Sequence, residues 1–428
     1  GNIDADENLE LILSRGGGSG SNARNSKLYK VTKKREFLPQ GNFDVPLKLM
    51  RGRTVKFFDG DNDGDLDLLV GNYVQWSKEI DLAQDFRLTG IGRAYGPPLS
   101  FEGLFPYLYR NNGDGTFTDV SAASGVQQTN LVTSAPLAKT LGLAPVDANR
   151  DGWMDFLLAN DTVRNLLFVN QRDGTFQEVG IEAGIAFDAS GKARGAMGID
   201  TGCFRNDDCL GIAVANFANE MTALYVSAGK DLAFIDDAIP SGLGPPTRGD
   251  LAFGLFFFGA DLDGRLDLFA ANGHIEKEIN RIQKSQHYRQ RPRLLWNAGS
   301  ERNDEFVSVA PDENSALSQA QVGRGAAYAD IDGDGDLDIA VTQVGGPPAL
   351  LRNDTIQPNH YLRLRLIGTN CNRDAIGARV VVRQKKEALE RQVMPTRSYL
   401  SQVELPVTIG LGQEPEVENV TVYWPAGT

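Results

Sequence analysis

Histidine is scarce in this chain, with three residues in 428, at positions 274, 287 and 360. That leaves a histidine-dependent triad or an imidazole-rich metal site little to draw on. There is also no nucleophile elbow, no Cys-X-X-Cys pair and no phosphate-binding glycine loop. The longest apolar stretch, Leu251 to Ala260, is about half of what a bilayer span requires and is closed by Asp250 and Asp261, so no membrane span is expected. Positive charge is in deficit: 43 Lys and Arg stand against 56 Asp and Glu, a net charge of −13. Nucleic acid is a poor partner for such a surface, because phosphate contacts need basic residues. No long amphipathic helical pattern is present.

Glycine is plentiful, at 47 residues, and short apolar runs are bounded by Asp, Asn, Gly and Pro. These features predict an all-β chain with many turns. Five stretches repeat one nine-residue phrase. Its clearest copy carries Asp59, Asp61, Asp63, Asp65 and Asp67, with Gly64 at the sixth position to turn the backbone. Asp330, Asp332, Asp334, Asp336 and Asp338 repeat it, with Gly335. Asp147, Asn149, Asp151, Trp153 and Asp155 differ by one neutral amide. Two copies are degraded: Gly259 replaces the first acid before Asp261, Asp263, Arg265 and Asp267, and Asn2, Asp4, Asp6, Asn8 and Glu10 lack the glycine.

Carboxylates at the first, third, fifth and ninth positions would converge on one point, and like charges that close require a cation. The seventh position varies freely, as a site using only its backbone carbonyl would allow. Hard oxygen donors in this number favour Ca²⁺, with three clear sites and two weaker ones. An EF-hand would need its last acid at position twelve, where the best copy has Val70 in a strand-like run, so hairpin sites are expected instead. The alternative is that these are acidic turns without an ion. Four or five bound Ca²⁺ ions would add roughly eight to ten positive charges and make the loaded protein only mildly acidic. The chain opens inside one of these phrases without a secretory leader, and we expect trimmed ends and a location outside the cytoplasm.

Each phrase sits in a larger unit. Gly142, Gly254 and Gly325 stand five residues ahead of it, an apolar run follows it, and a further strand leads to an Asp-Gly turn, as at 108–117 and 167–176. Four strands per unit at a period of 55–60 residues predict a radial β-propeller. Six units are visible, and a seventh blade is expected from missing or unassigned strands. In the unit at 200–234 Asp200 is aligned with the first ligand, with about three extra residues before Gly211. There we expect a Cys203–Cys209 disulfide to close the hairpin in place of a cation, the alternative being two reduced cysteines. Cys371 is read as a core residue.

The Asp-rich loop, the Gly-Asp-Gly-Thr-Phe turn (113–117) and the period together resemble FG-GAP/VCBS repeats, as in integrin α-subunit propellers. Asn359 to Leu362, Asn372 to Val380, Ser398 to Gln402, Gly410 to Gly412 and Trp424 to Gly427 resemble an ASPIC/UnbV module. The pair is similar to the cartilage acidic protein family. The resemblance implies a propeller over 1–356, a small β module over 357–428, calcium binding and extracellular, cell-surface or periplasmic action.

Two insertions, 73–107 and 273–293, fall between corresponding strands and should emerge on one face. The first is aromatic and proline-rich, suited to apolar or carbohydrate surfaces or to covering a blade edge. The second sets His274, Glu276, Glu278 and His287 among Arg281, Lys284, Arg289, Arg291 and Arg293, a basic cluster that could meet an acidic glycan or protein or simply remain solvated. His274 is expected to be structural. Arg248-Gly249-Asp250 spells an integrin ligand but is discounted as chance. The expected function is a calcium-stiffened, non-catalytic scaffold for a protein or glycan partner. A structural subunit of a larger surface complex and an accessory enzyme of secondary metabolism remain as alternatives.

Overall fold

A computed structural model describes residues 52–227 and 231–425, together with the backbone of the strands Leu9–Leu13, Lys27–Val31 and Phe37–Pro39. The chain forms a β-propeller of antiparallel sheets in which sequential strands pair. Blade I contains those three strands. Blade II contains Gly52–Phe58, Asp67–Asn72, Tyr107–Asn111 and Phe117–Asp119. Blade III runs Thr140–Val146, Asp155–Asn160, Leu166–Asn170 and Phe176–Glu178. Blade IV runs Ala196–Gly202, Gly211–Asn216, Ala223–Ser227 and Phe234–Asp236. Blade V runs Ala252–Phe258, Asp267–Asn272, Arg293–Asn297 and Phe306–Ser308. Blade VI has three strands, Gly323–Ala329, Asp338–Gln343 and Ala349–Leu351. No seventh blade is found among the described residues.

In blades III to V the second strand is buried at every position, and blades meet through large apolar side chains. Phe58 meets Phe156 edge-on with ring centroids 5.9 Å apart, and Phe204 stacks on Phe257 at 5.7 Å. Such aromatic pairs add to the burial term, which is on the order of 1.5–3 kcal/mol per large side chain. The repeated spacing of glycine in the first strand has a steric cause. A Cβ on Gly142 would lie 2.2 Å from the carbonyl oxygen of Met197, so the innermost strands of blades III and IV approach too closely for a side chain.

The C-terminal strands His360–Leu364 and Val407–Gly412 pair with each other, and Arg379–Arg383 pairs with both Ala388–Gln392 and Asn419–Tyr423. Their loop from Met394 to Glu404 runs through the space between the innermost propeller strands. Ser398 bridges to Ile199 of blade IV, and its hydroxyl accepts from Leu255 N–H of blade V at 2.9 Å. Tyr399 packs on Phe253 at 5.0 Å, and Glu404 N–H donates to the carbonyl of Tyr328 in blade VI. At the centre, Arg397 pairs with Asp200 at 2.8 Å, and Lys56 of blade II donates to the carbonyl of Arg397. Burial lowers the Lys56 pKa to about 7 and raises that of Asp200.

Candidate functional site: the aspartate loops

Among the described residues, the aspartate loops of blades II to VI each join the first and second strands of their blade, so these share one face of the propeller. Their backbone is shared too. The fourth residue, Asn62, Arg150, Asn206 or Leu262, has φ of 56–58° in blades II to V. The fifth residue's carboxylate accepts the seventh residue's N–H: Asp63 from Asp65, Asp151 from Trp153, Asp207 from Cys209, Asp263 from Arg265, and Asp334 from Asp336. These are short Asx-type turns, written locally by Asp two residues ahead of the turn's end.

This geometry corrects the register expected in blade IV. Cys203, not Asp200, stands at the first position, Asn206 at the fourth, Leu210 at the eighth and Gly211 at the ninth, with no inserted residues. A Cβ on Gly211 would lie 2.5 Å from the Phe204 ring, which takes the room an aspartate would use. The expected Cys203–Cys209 disulfide is not present. Cys203 is buried and donates to Glu390 Oε1 of the C-terminal module at 3.2 Å, while Arg205, at the third position, pairs with Asp237 and Glu305. Asp200 lies instead in the channel.

The ninth aspartate has a role beyond the one assigned to it from sequence. Asp67, Asp155, Asp267 and Asp338 are buried, and each accepts two backbone N–H bonds: one from the loop's second residue and one from an asparagine ending the third strand or following it. Burial raises Asp155 to about 7 and Asp267 to about 8. In three blades that asparagine also reaches the preceding blade. Asn170 Nδ2 donates to Gly60 O at 2.7 Å, Asn297 Nδ2 to Phe204 O at 2.9 Å, and Asn353 Nδ2 to Ala260 O at 2.8 Å. This link between blades is a tertiary contact that sequence spacing does not encode.

The loops differ in what neutralises them. In blade II, Asp59, Asp61 and Asp63 bring one oxygen each within 4.8 Å of the others, and Asp59 Oδ1 and Asp61 Oδ1 are buried without a hydrogen-bond partner. Burial, then the neighbouring Asp63, pushes Asp59 up to about 7. A divalent cation fits this donor set: hard oxygens, converging, and lacking protons to share. In blade VI, Asp330, Asp332 and Asp334 converge likewise, and Asp336 Oδ1 is a buried orphan. In blade III, Asp147 accepts from Asp151 N–H and Gly152 N–H, Asn149 donates to Asp151, and Arg172 pairs with Asp151 at 2.8 Å. In blade V the guanidinium of Arg265 folds back onto Asp263, and Trp296 Nε1 donates to Asp261 at 2.8 Å. There the seventh residue's side chain is not irrelevant, because it brings its own cation. Asn2, Asp4, Asp6 and Asn8 lie outside the described residues, and Glu10 falls in the strand Leu9–Leu13, whose side chains are not described.

The C-terminal module covers this face. Asn359 Nδ2 donates to Asp261 O, Arg391 Nη2 to Gly264 O, and Arg363 reaches Asp330 at 3.7 Å. Residues 367–373 line a pocket together with Asp63, Gly64 and Asp65.

Both insertions follow the second strand of their blades, so they lie on the opposite face. Residues 73–107 fold partly on themselves: Phe101 is buried, and Tyr73 O–H donates to Asp161 at 2.5 Å. Tyr95 stays 70% exposed. In the second insertion Arg293 is bound to Asp250 at 2.5 Å, which removes the acid of Arg-Gly-Asp from solvent. Arg281, Lys284, Arg289 and Arg291 are exposed. His274 is buried against Phe217, and its Nδ1 accepts from Glu276 N–H at 2.9 Å.

Burial lowers the His274 pKa to about 4. A depressed folded-state value means the unfolded chain takes up the proton first, so its contribution to stability is complete above pH 6.5 and is lost between pH 6.5 and 4. The loss should be on the order of 3 kcal/mol. Denaturant midpoints measured across that range should fall, and His274→Gln should flatten the slope there; an identical slope in the variant would assign the acid sensitivity elsewhere.

A six-sheet propeller with aspartate hairpins and an interlocked C-terminal β module defines the class: an FG-GAP-repeat propeller carrying an ASPIC/UnbV module. Residues 260–341 match the FG-GAP-like repeat family and residues 368–428 match ASPIC and UnbV. The chain is related to cartilage acidic protein 1. It is 25% identical to the Mus musculus protein over 99% of this chain and 60% of that one, and 25% identical to the Homo sapiens protein over 75% and 47%. It thus spans less than two thirds of the length of these relatives. Among solved structures, a protein from Lactobacillus plantarum is similar with a TM-score of 0.40 and 13% identity, covering 97% of this chain and 99% of that one. Trypanosoma rangeli sialidase in complex with sialic acid gives 0.39 and 10%, covering 76% and 48%. Scores this low bear on neither chain's function. No described helix is long and apolar enough to cross a membrane.

Proposed function

We propose that the protein is a calcium-stiffened, non-catalytic scaffold acting outside the cytoplasm, which meets an acidic glycan or protein on the face bearing residues 73–107 and 273–293. One observation carries this reading: the chain's own C-terminal module covers the aspartate loops and threads the channel, while the opposite face presents the long insertions to solvent. Calcium in the blade II and blade VI loops would then hold hairpins and the module together rather than meet a substrate. Asp59, Asp61 and Asp63, and Asp330, Asp332 and Asp334, are the residues that would hold it. On the open face, Arg281, Lys284, Arg289 and Arg291 form a basic cluster in an otherwise acidic protein, which favours an acidic partner. Millimolar calcium outside cells suits sites built from several carboxylates.

The test is retention on immobilised heparin in the presence of calcium. The native chain should be retained in a salt-dependent manner, and R281E/K284E/R291E should elute early. No retention of the native chain, or equal retention of the variant, would remove the acidic-partner reading.

A further inference from the structure

Between the innermost propeller strands and the C-terminal module lies a cavity of about 100 Å³, whose lining includes Thr201, Phe257, Tyr328, Arg391 and Arg397. Arg391 is buried, at 8% exposure. Its Nη1 donates to the carbonyl of Glu390 at 2.7 Å and to Asn206 Oδ1 at 3.4 Å, and its Nη2 donates to Gly264 O at 2.8 Å. Its Nε–H has no partner.

The nearby acids are engaged elsewhere. Asp200 is paired with Arg397, Glu390 with Arg379 and Arg150, Glu404 with Arg363, and Asp263 with Arg265. Asp147, which also lines the cavity, accepts two backbone N–H bonds of its own loop. Arg391 is therefore a buried guanidinium with no carboxylate paired to it among the described residues. Burial, only partly opposed by the neighbouring Cys203, Tyr328 and Asp263, lowers its pKa to about 10. Proteins rarely leave a charge in this state, because desolvation is offset only by a counter-charge or by full hydrogen bonding.

We propose that this cavity binds a small monovalent anion of the halide type, held by Arg391 Nε–H. The geometry selects the class of ion. A carboxylate prefers two parallel N–H groups of one guanidinium, and here Nη2 already gives one of its two N–H groups to Gly264 O, so Nε is the one nitrogen of Arg391 left without any partner. A spherical ion needs no fork. The phenol of Tyr328 lines the same cavity and is a second donor of the right kind. The anion would neutralise a buried charge of the C-terminal module where it docks on blades IV to VI, and so would strengthen that docking.

The decisive experiment is anomalous diffraction from crystals of the whole chain grown in sodium bromide. A bromide peak within hydrogen-bonding distance of Arg391 Nε is expected. In solution at constant ionic strength, Tm should rise when gluconate is replaced by chloride or bromide, and Arg391→Met should abolish that dependence. Ordered water at Nε with no anomalous peak would overturn the proposal, as would equal Tm in chloride and gluconate. Full replacement of chloride by acetate without a bromide peak would reassign the site to carboxylates and overturn the halide reading. Should Arg391→Met fail to fold, the bromide map of the native chain decides alone. None of these outcomes depends on calcium or on heparin retention.

Discussion

Replacing Asp200 by Ala should destabilise the protein by about 3–5 kcal/mol, the cost of leaving a buried charge without its partner. Asp200 is 3% exposed and is the acid paired with Arg397, whose N–H groups are otherwise given to the carbonyls of Met394, Thr201 and Gln392. Its second oxygen accepts Phe257 N–H at 2.8 Å, which ties blade IV to blade V. Lys56 sits in the same layer, so the variant would hold two basic groups in the channel without an acid. Because Arg397 belongs to the C-terminal module, its loop should loosen first: proteolysis between Met394 and Glu404 should accelerate before global unfolding. Arg397→Met should be nearly as damaging. Asp200→Leu combined with Arg397→Met should recover much of the loss, since an apolar pair leaves no orphaned charge. A change below roughly 0.5 kcal/mol in the Asp200 variant, within the range of ordinary surface substitutions, would show that the ion pair is not what seats the module.

The second large effect concerns the loops. Chelation should lower Tm by about 3 °C for each occupied site, because an ion at about 100 times its Kd stabilises the folded state by about 2.7 kcal/mol and a chain this long has a large unfolding entropy. Calcium should restore the loss. Magnesium should restore less, since it keeps its waters and demands a tighter octahedron than these loops present. Asp59→Asn with Asp61→Asn should remove one site's share, as both carry a buried oxygen without a partner. Asp263→Asn in blade V should leave the calcium response unchanged, because Arg265 already neutralises that loop. Unchanged melting on chelation would sink the calcium reading while leaving the fold intact. Since Arg363 contacts the blade VI loop, chelation should also increase cleavage between residues 352 and 359.

Several features were legible in sequence because their causes are local. An aspartate two residues before a backbone N–H makes its turn with no help from elsewhere, and Gly64 or Gly335 takes a positive φ within the same nine residues. Strand and loop therefore alternate as the pattern says. Blade IV shows where this reading fails. Asp200 matched the phrase by residue type, yet the pairing of Gly202 with Gly211 sets Cys203 at the first position. Residue type alone could not reveal a slip that only strand register defines. The two cysteines looked like a pair for the same reason, six residues apart, while the structure turns Cys203 towards Glu390.

By itself, then, the sequence determined the all-β propeller, its repeat, the position of the aspartate hairpins and the two inserted loops, because periodicity and turn chemistry act over a few residues. Tertiary structure alone decided which loops lack a neutralising partner, that asparagines 170, 297 and 353 join neighbouring blades, and that Arg397 fills the channel against Asp200. Those contacts link residues about 90 to 200 positions apart. They exist only once the blades have closed around the C-terminal loop, where burial makes each unpaired charge expensive.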